Sequence, residues 1–391
     1  MSKENKILNS EPVNAYEKIM NKGETEQWLD WRRQFSNRIK GLDALSGLLQ
    51  LTSSEKEIYR DVIAQYRYAV TPYYLSLIDW SDPDDPIRKQ CIPDPREINF
   101  SLPGSEEDPL AERAHMPVPG LIHRYPDRVL AMVTGTCAVY CRHCNRKRTW
   151  KNSEAGSTRE ALYRMVDYVA GSPLVREVIV SGGDPLTMQP RLLDEFLKAF
   201  REIPHVEVLR IGTRIPVVLP MRITDDLCQM LAGHRPLWIN THFNHPREIT
   251  PESTEACERL LKAGIPLSNQ TVLLKGVNDS MEIIRDLCRG LQRIMVRPYY
   301  LFQCDAVQGT DHFRTDIRKG VEIIQGLWGK IGGLCIPNYV VDLPTGGGKA
   351  LMIPSYLLEV GKDEAMFRTF EGKIVRYPCP EGADAGELIN P

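Results

Sequence analysis

Hydrophobic and polar positions change rhythm along the chain near residue 110. Ahead of that point, TEQWLDWRRQFSNRIKGLDALSGLL sets Trp28, Trp31, Phe35 and Ile39 three and four residues apart, which predicts an amphipathic helix. A Pro/Asp-rich connector follows, DWSDPDDPIRKQCIPDPREINFSLPGSEEDP, whose prolines exclude long helices. Beyond it, apolar runs alternate with helical periods. The runs are RVLAMVT, REVIVSG, VEVLRIG, LWINTHF, PLSNQTVLL and MVRPYYLF. Between them lie RLLDEFLKAF, TDDLCQMLAG, STEACERLLKAG and SMEIIRDLCRGL, and a helix opening at Ser157. There Glu160 completes a capping box, and Leu162, Met165, Val166 and Val169 share one face. Six β–α repeats at about 30-residue spacing predict a parallel sheet wound right-handed, either open or a partial barrel. The expected division is a helical region and connector over 1–110, the β/α unit over 111–350, and an extension over 351–391.

Composition narrows the class. With 391 residues, 26% of them charged, and a net charge of −2, the chain shows no nucleic-acid or membrane surface. No run approaches the roughly 18 apolar residues of a spanning helix. The opening MSKENKILNSEPVN lacks the apolar centre of a secretory signal, so a cytoplasmic location is expected. Ten cysteines in a reducing compartment do not suggest a disulfide framework. Cys91, Cys228, Cys257, Cys288, Cys304, Cys335 and Cys379 are scattered singly, and most read as small buried hydrophobes.

The other three change the picture. In GTCAVYCRHCNRKRTW, Cys137, Cys141 and Cys144 are spaced CxxxCxxC, directly after the run RVLAMVT. A structural zinc site takes four ligands, and no second pair matches here. A dithiol redox motif wants CxxC alone. Three thiolates suit an iron–sulfur cluster with one iron left open. SGGD, from Ser181 to Asp184, ends the next run; its glycines serve a strand-to-helix turn or a close backbone approach to a ligand. In VVDLPTGGGKA, Lys349 follows three glycines. The segment lacks the leading glycine and the final hydroxyl of a P-loop. A desolvated lysine there is a Schiff-base nucleophile toward an aldehyde such as pyridoxal phosphate, or the segment is a surface loop. Arg124 and Arg128 in GLIHRYPDRVL are either surface charges or a clamp for a phosphate.

The cysteine spacing, with Tyr140 before the second thiol, resembles the radical S-adenosylmethionine superfamily. That implies a partial (β/α)6 barrel, here with an N-terminal helical extension. Further blocks resemble the lysine 2,3-aminomutase family from about Trp28 to Tyr377: VTPYYLSLIDW, PVPGLIHRYPDRVL, YCRHCNRKR, IPHVEVLRIGTRIPVVLPMRIT, NTHFNHPREIT, NQTVLLKGVND, RPYYLFQCD and VVDLPTGGGK. The resemblance implies an aminomutase that uses a [4Fe–4S] cluster, S-adenosylmethionine and pyridoxal 5′-phosphate. It implies that Cys137, Cys141 and Cys144 hold the cluster. His143, Gly182, Gly183, Asp184, Thr213, His242 and Gln270 would line the S-adenosylmethionine site. Lys349 would join pyridoxal phosphate, with Arg124, Tyr125 and Arg128 holding that cofactor. Arg146 would pair with the substrate carboxylate, and Asp305 and Asp342 with its distal cation. The last pair also makes physical sense, since two carboxylates at one site are costly unless a cation joins them. Either aspartate could instead cap a turn. The implied partners are a basic amino acid, an electron donor such as flavodoxin or ferredoxin, and further copies of the chain in a homo-oligomer.

Two positions depart from the lysine enzymes. The family's C-terminal zinc cysteines are represented only by Cys379, with Ser280 after KGVND, which puts a structural zinc site in doubt. Phe302 stands where those enzymes typically carry tyrosine. The expected activity is 1,2-amino migration on L-lysine. Three rivals remain: an arginine 2,3-aminomutase or a dehydratase of a hydroxylated basic amino acid such as 4-hydroxyarginine, a relative of the enzyme that makes β-lysine for translation-factor modification, and a catalytically silent cluster-binding protein.

Overall fold

The computed structural model describes residues 25–99, 104–150, 158–361 and 363–379. The apolar runs become a nine-stranded sheet whose strands follow chain order: β1 (Leu121–Tyr125), β2 (Arg128–Thr134), β3 (Glu177–Gly182), β4 (Val208–Gly212), β5 (Leu237–Thr241), β6 (Leu267–Leu273), β7 (Arg297–Gln303), β8 (Asn338–Leu343) and β9 (Gly348–Leu351). Strands β2 to β8 are parallel, while β1 and β9 pair antiparallel at the two edges. The six expected strands are β2 to β7. The structure adds β8 as a further parallel strand and a hairpin at each edge. Those hairpins approach one another: a Cβ on Gly348 would lie 3.5 Å from Tyr125 Oη, and one on Gly346 3.3 Å from Arg124 Nε. The sheet is thus a nearly closed barrel.

Helices cover the outside. Pro190–Arg201 buries Leu193, Phe196, Leu197 and Phe200 against the sheet; each such side chain contributes about 1.5–3 kcal/mol. The helix expected from Ser157 spans Arg159–Ala170. Ser157 itself lies outside the described residues, and the cap is Thr158, whose Oγ1 accepts from Ala161 N at 3.2 Å. A second, three-stranded antiparallel sheet, β10 (Leu357–Val360), β11 (Glu364–Arg368) and β12 (Ile374–Pro378), follows β9.

The N-terminal amphipathic segment is not one helix. It breaks into Thr25–Leu29, Trp31–Ser36 and Leu42–Leu49. Asp30 stops the first by accepting Arg32 N at 2.8 Å, and Gly41 adopts φ +81° before the third. Trp28, Trp31, Phe35 and Ile39 nonetheless pack on the barrel core, as their spacing requires. Cys91, Cys228, Cys257, Cys288, Cys304 and Cys335 are buried, whereas Cys379 is half-buried. Among the described residues, no helix is long and apolar enough to cross a membrane.

Candidate active site

The C-terminal ends of the parallel strands open on one cavity of about 570 Å³. All seventeen residues singled out by motif and resemblance line it, although they span positions 124 to 349. Parallel strands place successive C-terminal loops side by side, which brings most of these segments together, while Arg124, Tyr125 and Arg128 come from the β1–β2 hairpin at the start of β2.

The cysteine loop leaves the end of β2 and lies between the barrel and the N-terminal region. Tyr140 N donates to Ala69 O at 3.1 Å, Arg142 N to Gln90 O at 2.9 Å, and Arg38 to Cys137 O. Arg142 reaches Glu97 at 2.8 Å through Nε, and Lys147 Nζ meets the same carboxylate at 2.8 Å, all three fully buried. Among the described residues, no three His, Cys, Asp or Glu side chains converge as ligands of a single metal ion. Burial first, and then the neighbouring thiols, pushes Cys144 up to about 11 and raises Cys137 well above the usual thiol value, so metal must displace their protons. Cys141 Sγ accepts from Arg214 Nη1 at 2.8 Å. His143 is buried, with Nε2 3.2 Å from Asn244 Nδ2 and Nδ1 without a partner among the described residues.

The SGGD turn supports this loop from below. Gly182 has φ +112°, and a Cβ there would meet Thr134 O at 2.6 Å; a Cβ on Gly183 would meet Thr136 O at 2.5 Å. Asp184 N donates to Thr136 O at 2.8 Å. The glycines are therefore required by the close approach of two backbones. Asp184 accepts from Thr213 Oγ1 and from Arg214 N, each at 2.7 Å, and burial raises it to about 6. His242 and Gln270 face the same space, with His242 pushed down to about 4 by burial and by Arg214 and Arg146.

The two edge hairpins supply the opposite wall. Arg128 lies over the Tyr125 ring at 3.9 Å and bonds Asp127 at 2.7 Å. Arg124 Nε is buried without a partner among the described residues. Lys349 Nζ is 2.7 Å from Asp342 Oδ1 and 5.3 Å from the Phe302 ring centre. Asp305 accepts from Asn145 Nδ2 at 3.2 Å; burial, then the charge of Asp342, raises its carboxyl to about 7. Arg146 presents Nε and Nη2 to Glu112 at 3.0 and 2.6 Å, and Arg148 meets the same carboxylate at 2.7 Å. One edge of Arg146 is therefore occupied within the protein, which leaves its Nη1/Nη2 edge for a ligand.

Sequence reasoning missed Glu112, Arg214 and Asn145. Asn145 lies inside the cysteine motif, where its neighbours drew the attention. Arg214 sits beside Thr213 in the block GTRIP, but only its contact with Cys141, 73 residues away, reveals its position. Glu112 falls just past the connector and ahead of the first apolar run, where no periodicity marks it.

A cluster-type cysteine loop at the end of the first parallel strand of such a barrel defines a radical S-adenosylmethionine enzyme. Residues 132–288 match the model of the radical SAM superfamily, and residues 324–389 that of lysine-2,3-aminomutase. The chain is 49% identical over 353 residues to L-lysine 2,3-aminomutase of Clostridium subterminale, covering 90% of this chain and 85% of that one. It is 48% identical over 356 residues to the enzyme so named in Acetoanaerobium sticklandii, covering 91% and 86%. It is also 44% identical over 367 residues to glutamate 2,3-aminomutase of Clostridioides difficile, covering 94% and 86%. The chain belongs to the lysine 2,3-aminomutase family. It is a radical S-adenosylmethionine aminomutase with a [4Fe–4S] cluster, S-adenosylmethionine and a small amino acid substrate. Its residues fit those groups: three thiols share the cavity wall, and the unpartnered polar atoms of His143 and Arg124 are buried beside it.

Proposed function

We propose that the protein is an L-lysine 2,3-aminomutase, moving the amino group of L-lysine from C2 to C3 with the help of pyridoxal 5′-phosphate. The observation that carries this reading is the acidic pair Asp305 and Asp342 on one cavity wall, with the first raised to about 7 by burial and then by the second. A cation beside them favours the ionised form of Asp305, and a glutamate side chain would be repelled.

In this reading Cys137, Cys141 and Cys144 hold the cluster, with His143, Gly182, Gly183, Asp184, Thr213, His242 and Gln270 around S-adenosylmethionine. Arg124, Tyr125 and Arg128 hold the pyridoxal phosphate, and Arg124 Nε, buried and unpartnered, suits a phosphate oxygen. When bound, these groups supply a hydrogen-abstracting carbon radical, an aldehyde and a conjugated ring. The protein does the positioning. Lys349 would hold the cofactor's aldehyde through its primary amine, at the place that the substrate's own amine would also occupy. Arg146 takes the substrate carboxylate on its open edge, while Asp305 and Asp342 take the ammonium at the other end. Fixing both ends would set which hydrogen faces the radical, and the bound groups that fill the cavity would displace its water. The reading carries with it a one-electron donor such as flavodoxin or ferredoxin, a homo-oligomer, a cytoplasmic location that suits ten free thiols, and unit boundaries near 110 and 350.

A second reading rests on Phe302. An aromatic ring without a hydroxyl lies 5.3 Å from Lys349 Nζ, and its acidic neighbours accept guanidinium as well as ammonium. Arginine migration, or dehydration of 4-hydroxyarginine, follows from that arrangement. The two readings part in an anaerobic assay with lysine, arginine, 4-hydroxyarginine and glutamate, scored by product mass and by 5′-deoxyadenosine. Efficient β-lysine formation supports the first. Loss of water from 4-hydroxyarginine, with lysine inert, overturns it in favour of the second.

A further inference from the structure

Arg214 is a buried guanidinium that no step of the proposed chemistry uses. It follows the end of β4, is 7% exposed, and has each nitrogen engaged. Nη1 donates to Cys141 Sγ at 2.8 Å, Nε to His242 O at 3.1 Å, and Nη2 to Glu248 Oε1 at 2.6 Å and Tyr74 Oη at 3.0 Å. Glu248 is fully buried and anchored in turn by Tyr74 Oη at 2.6 Å and His245 N at 2.9 Å. The result is a fixed charge pair whose positive member hydrogen-bonds one sulfur while its negative member bonds a different nitrogen of the same guanidinium. The other two cysteines lack this. Cys144 Sγ receives only the backbone N–H of Arg146, at 3.4 Å, and Arg38 reaches the carbonyl of Cys137, with no charged donor to its sulfur among the described residues.

We infer that Arg214 is a positioning residue that orients Cys141 and makes the cluster easier to reduce, with Glu248 limiting the size of that effect. The inference rests on the three cysteines holding the cluster. Reduction adds one electron, delivered by an external low-potential donor, to the cluster and its thiolates. A cation hydrogen-bonded to a ligand sulfur stabilises that added charge. In a buried setting the effect is large, because little solvent screens it. Each nitrogen of Arg214 has at least one partner, with Gln90 Oε1 also accepting from Nη2 at 2.5 Å, so turning the guanidinium toward a ligand would break bonds already made.

The two partners must act with opposite sign, which makes the test sharp. Wild type, Glu248→Gln and the double variant Arg214→Gln/Glu248→Gln are reconstituted anaerobically with iron and sulfide. Their cluster midpoints are read by EPR-monitored redox titration. Glu248→Gln keeps Arg214 and removes its counter-charge, so its midpoint should rise. The double variant removes both charges and should fall, by about tenfold in the reduction equilibrium, or about 59 mV for one electron. Midpoints within twofold of wild type in both variants, or shifts of the same sign, overturn the inference. Failure of the underlying reading looks different: wild type would take up no four-iron cluster, or Cys141→Ala would keep a complete one.

Discussion

Lys349 and Asp342 are cross-strand partners on β8 and β9, with Nζ 2.7 Å from Oδ1. The carboxylate proposed to receive the substrate's distal cation therefore already holds the ammonium of the lysine that the substrate must displace. In the ligand-free protein, a cation arriving at Asp342 competes with Lys349 for that carboxylate. Asp342→Asn should raise KM for lysine roughly 10- to 100-fold, the scale of one lost charge-assisted hydrogen bond of about 1.5–3 kcal/mol. It should leave the pyridoxal absorbance band in place. Lys349→Ala should abolish that band. An Asp342→Asn enzyme with unchanged KM would remove Asp342 from substrate recognition.

Glu112 grips Arg146 along one edge, and the orientation of the other edge depends on that grip. Glu112→Gln weakens the grip without emptying the space. The expected result is a roughly tenfold rise in KM for lysine, about 1.4 kcal/mol, with little change in the binding of cadaverine, used as a probe that has no carboxylate to place. Equal losses for both molecules would mean that Glu112 only stabilises the fold. Arg148 and Asp108 share the cluster, with Arg148 Nη1 3.4 Å from Asp108 Oδ1, and should keep the connector in place in this variant.

Asp305 gives a pH prediction with opposite signs for stability and for binding. Its carboxyl sits among Asn145, Asp342, Lys349, Glu112 and Arg146, and burial followed by Asp342 raises it to about 7. The folded protein thus binds this proton more tightly than the unfolded chain, whose carboxyl titrates near 3.9. Ligand-free stability falls as pH rises from about 4 to about 7, at up to about 1.4 kcal/mol per pH unit, and the cost then stays constant. Asp305→Asn should accordingly raise the ligand-free Tm at about pH 8 and leave it unchanged at about pH 4. Substrate binding runs the other way. The cation needs the ionised form, so KM should climb up to tenfold per unit below about pH 7, and the Asn variant should show a high, flat profile. A wild-type KM that stays level from pH 8 to pH 6 would count against Asp305 as a cation ligand.

The barrel was readable because parallel strands bury both faces and so appear as unbroken apolar runs; RVLAMVT is β2 residue for residue. The edges were harder. LIHRY and GKAL face a partner on one side only and carry the polar side chains of the site, so they lack that signature. Cys137, Cys141 and Cys144 announce themselves because one loop carries all three. Arg214 and Glu112 do not, because their partners arrive through the fold: Arg214 Nη2 meets Tyr74 Oη across 140 residues of chain. Local spacing records what neighbours in sequence must do together. It is silent on a lone charge whose counter-charge comes from another element. The N-terminal region shows the same gap. Its periodicity revealed a face packed on the barrel, but not that Gln90 and Glu97 hold the cysteine loop.

That last role can be tested directly. Glu97 is fully buried between Arg142 and Lys147, which flank the last cysteine of the motif, Cys144, and the Tyr66 ring lies 4.5 Å from Lys147 Nζ. Neutralising Glu97 strands two buried cations at once. Breaking such a pair from one side costs about 3–5 kcal/mol, far more than an exposed ion pair would. Glu97→Gln should lower Tm by several degrees and speed hydrogen exchange across residues 137–150 more than in β3 or β4. Iron uptake should become slower and incomplete while the barrel stays folded. Arg96→Ala offers the contrast. Its partner Asp94 sits in the same short helical turn, but the Arg96 side chain is 58% exposed, so its loss should change neither Tm nor iron uptake measurably. If Glu97→Gln loads iron like wild type, the N-terminal region is packing against a loop that orders itself, and the buried triad serves stability alone.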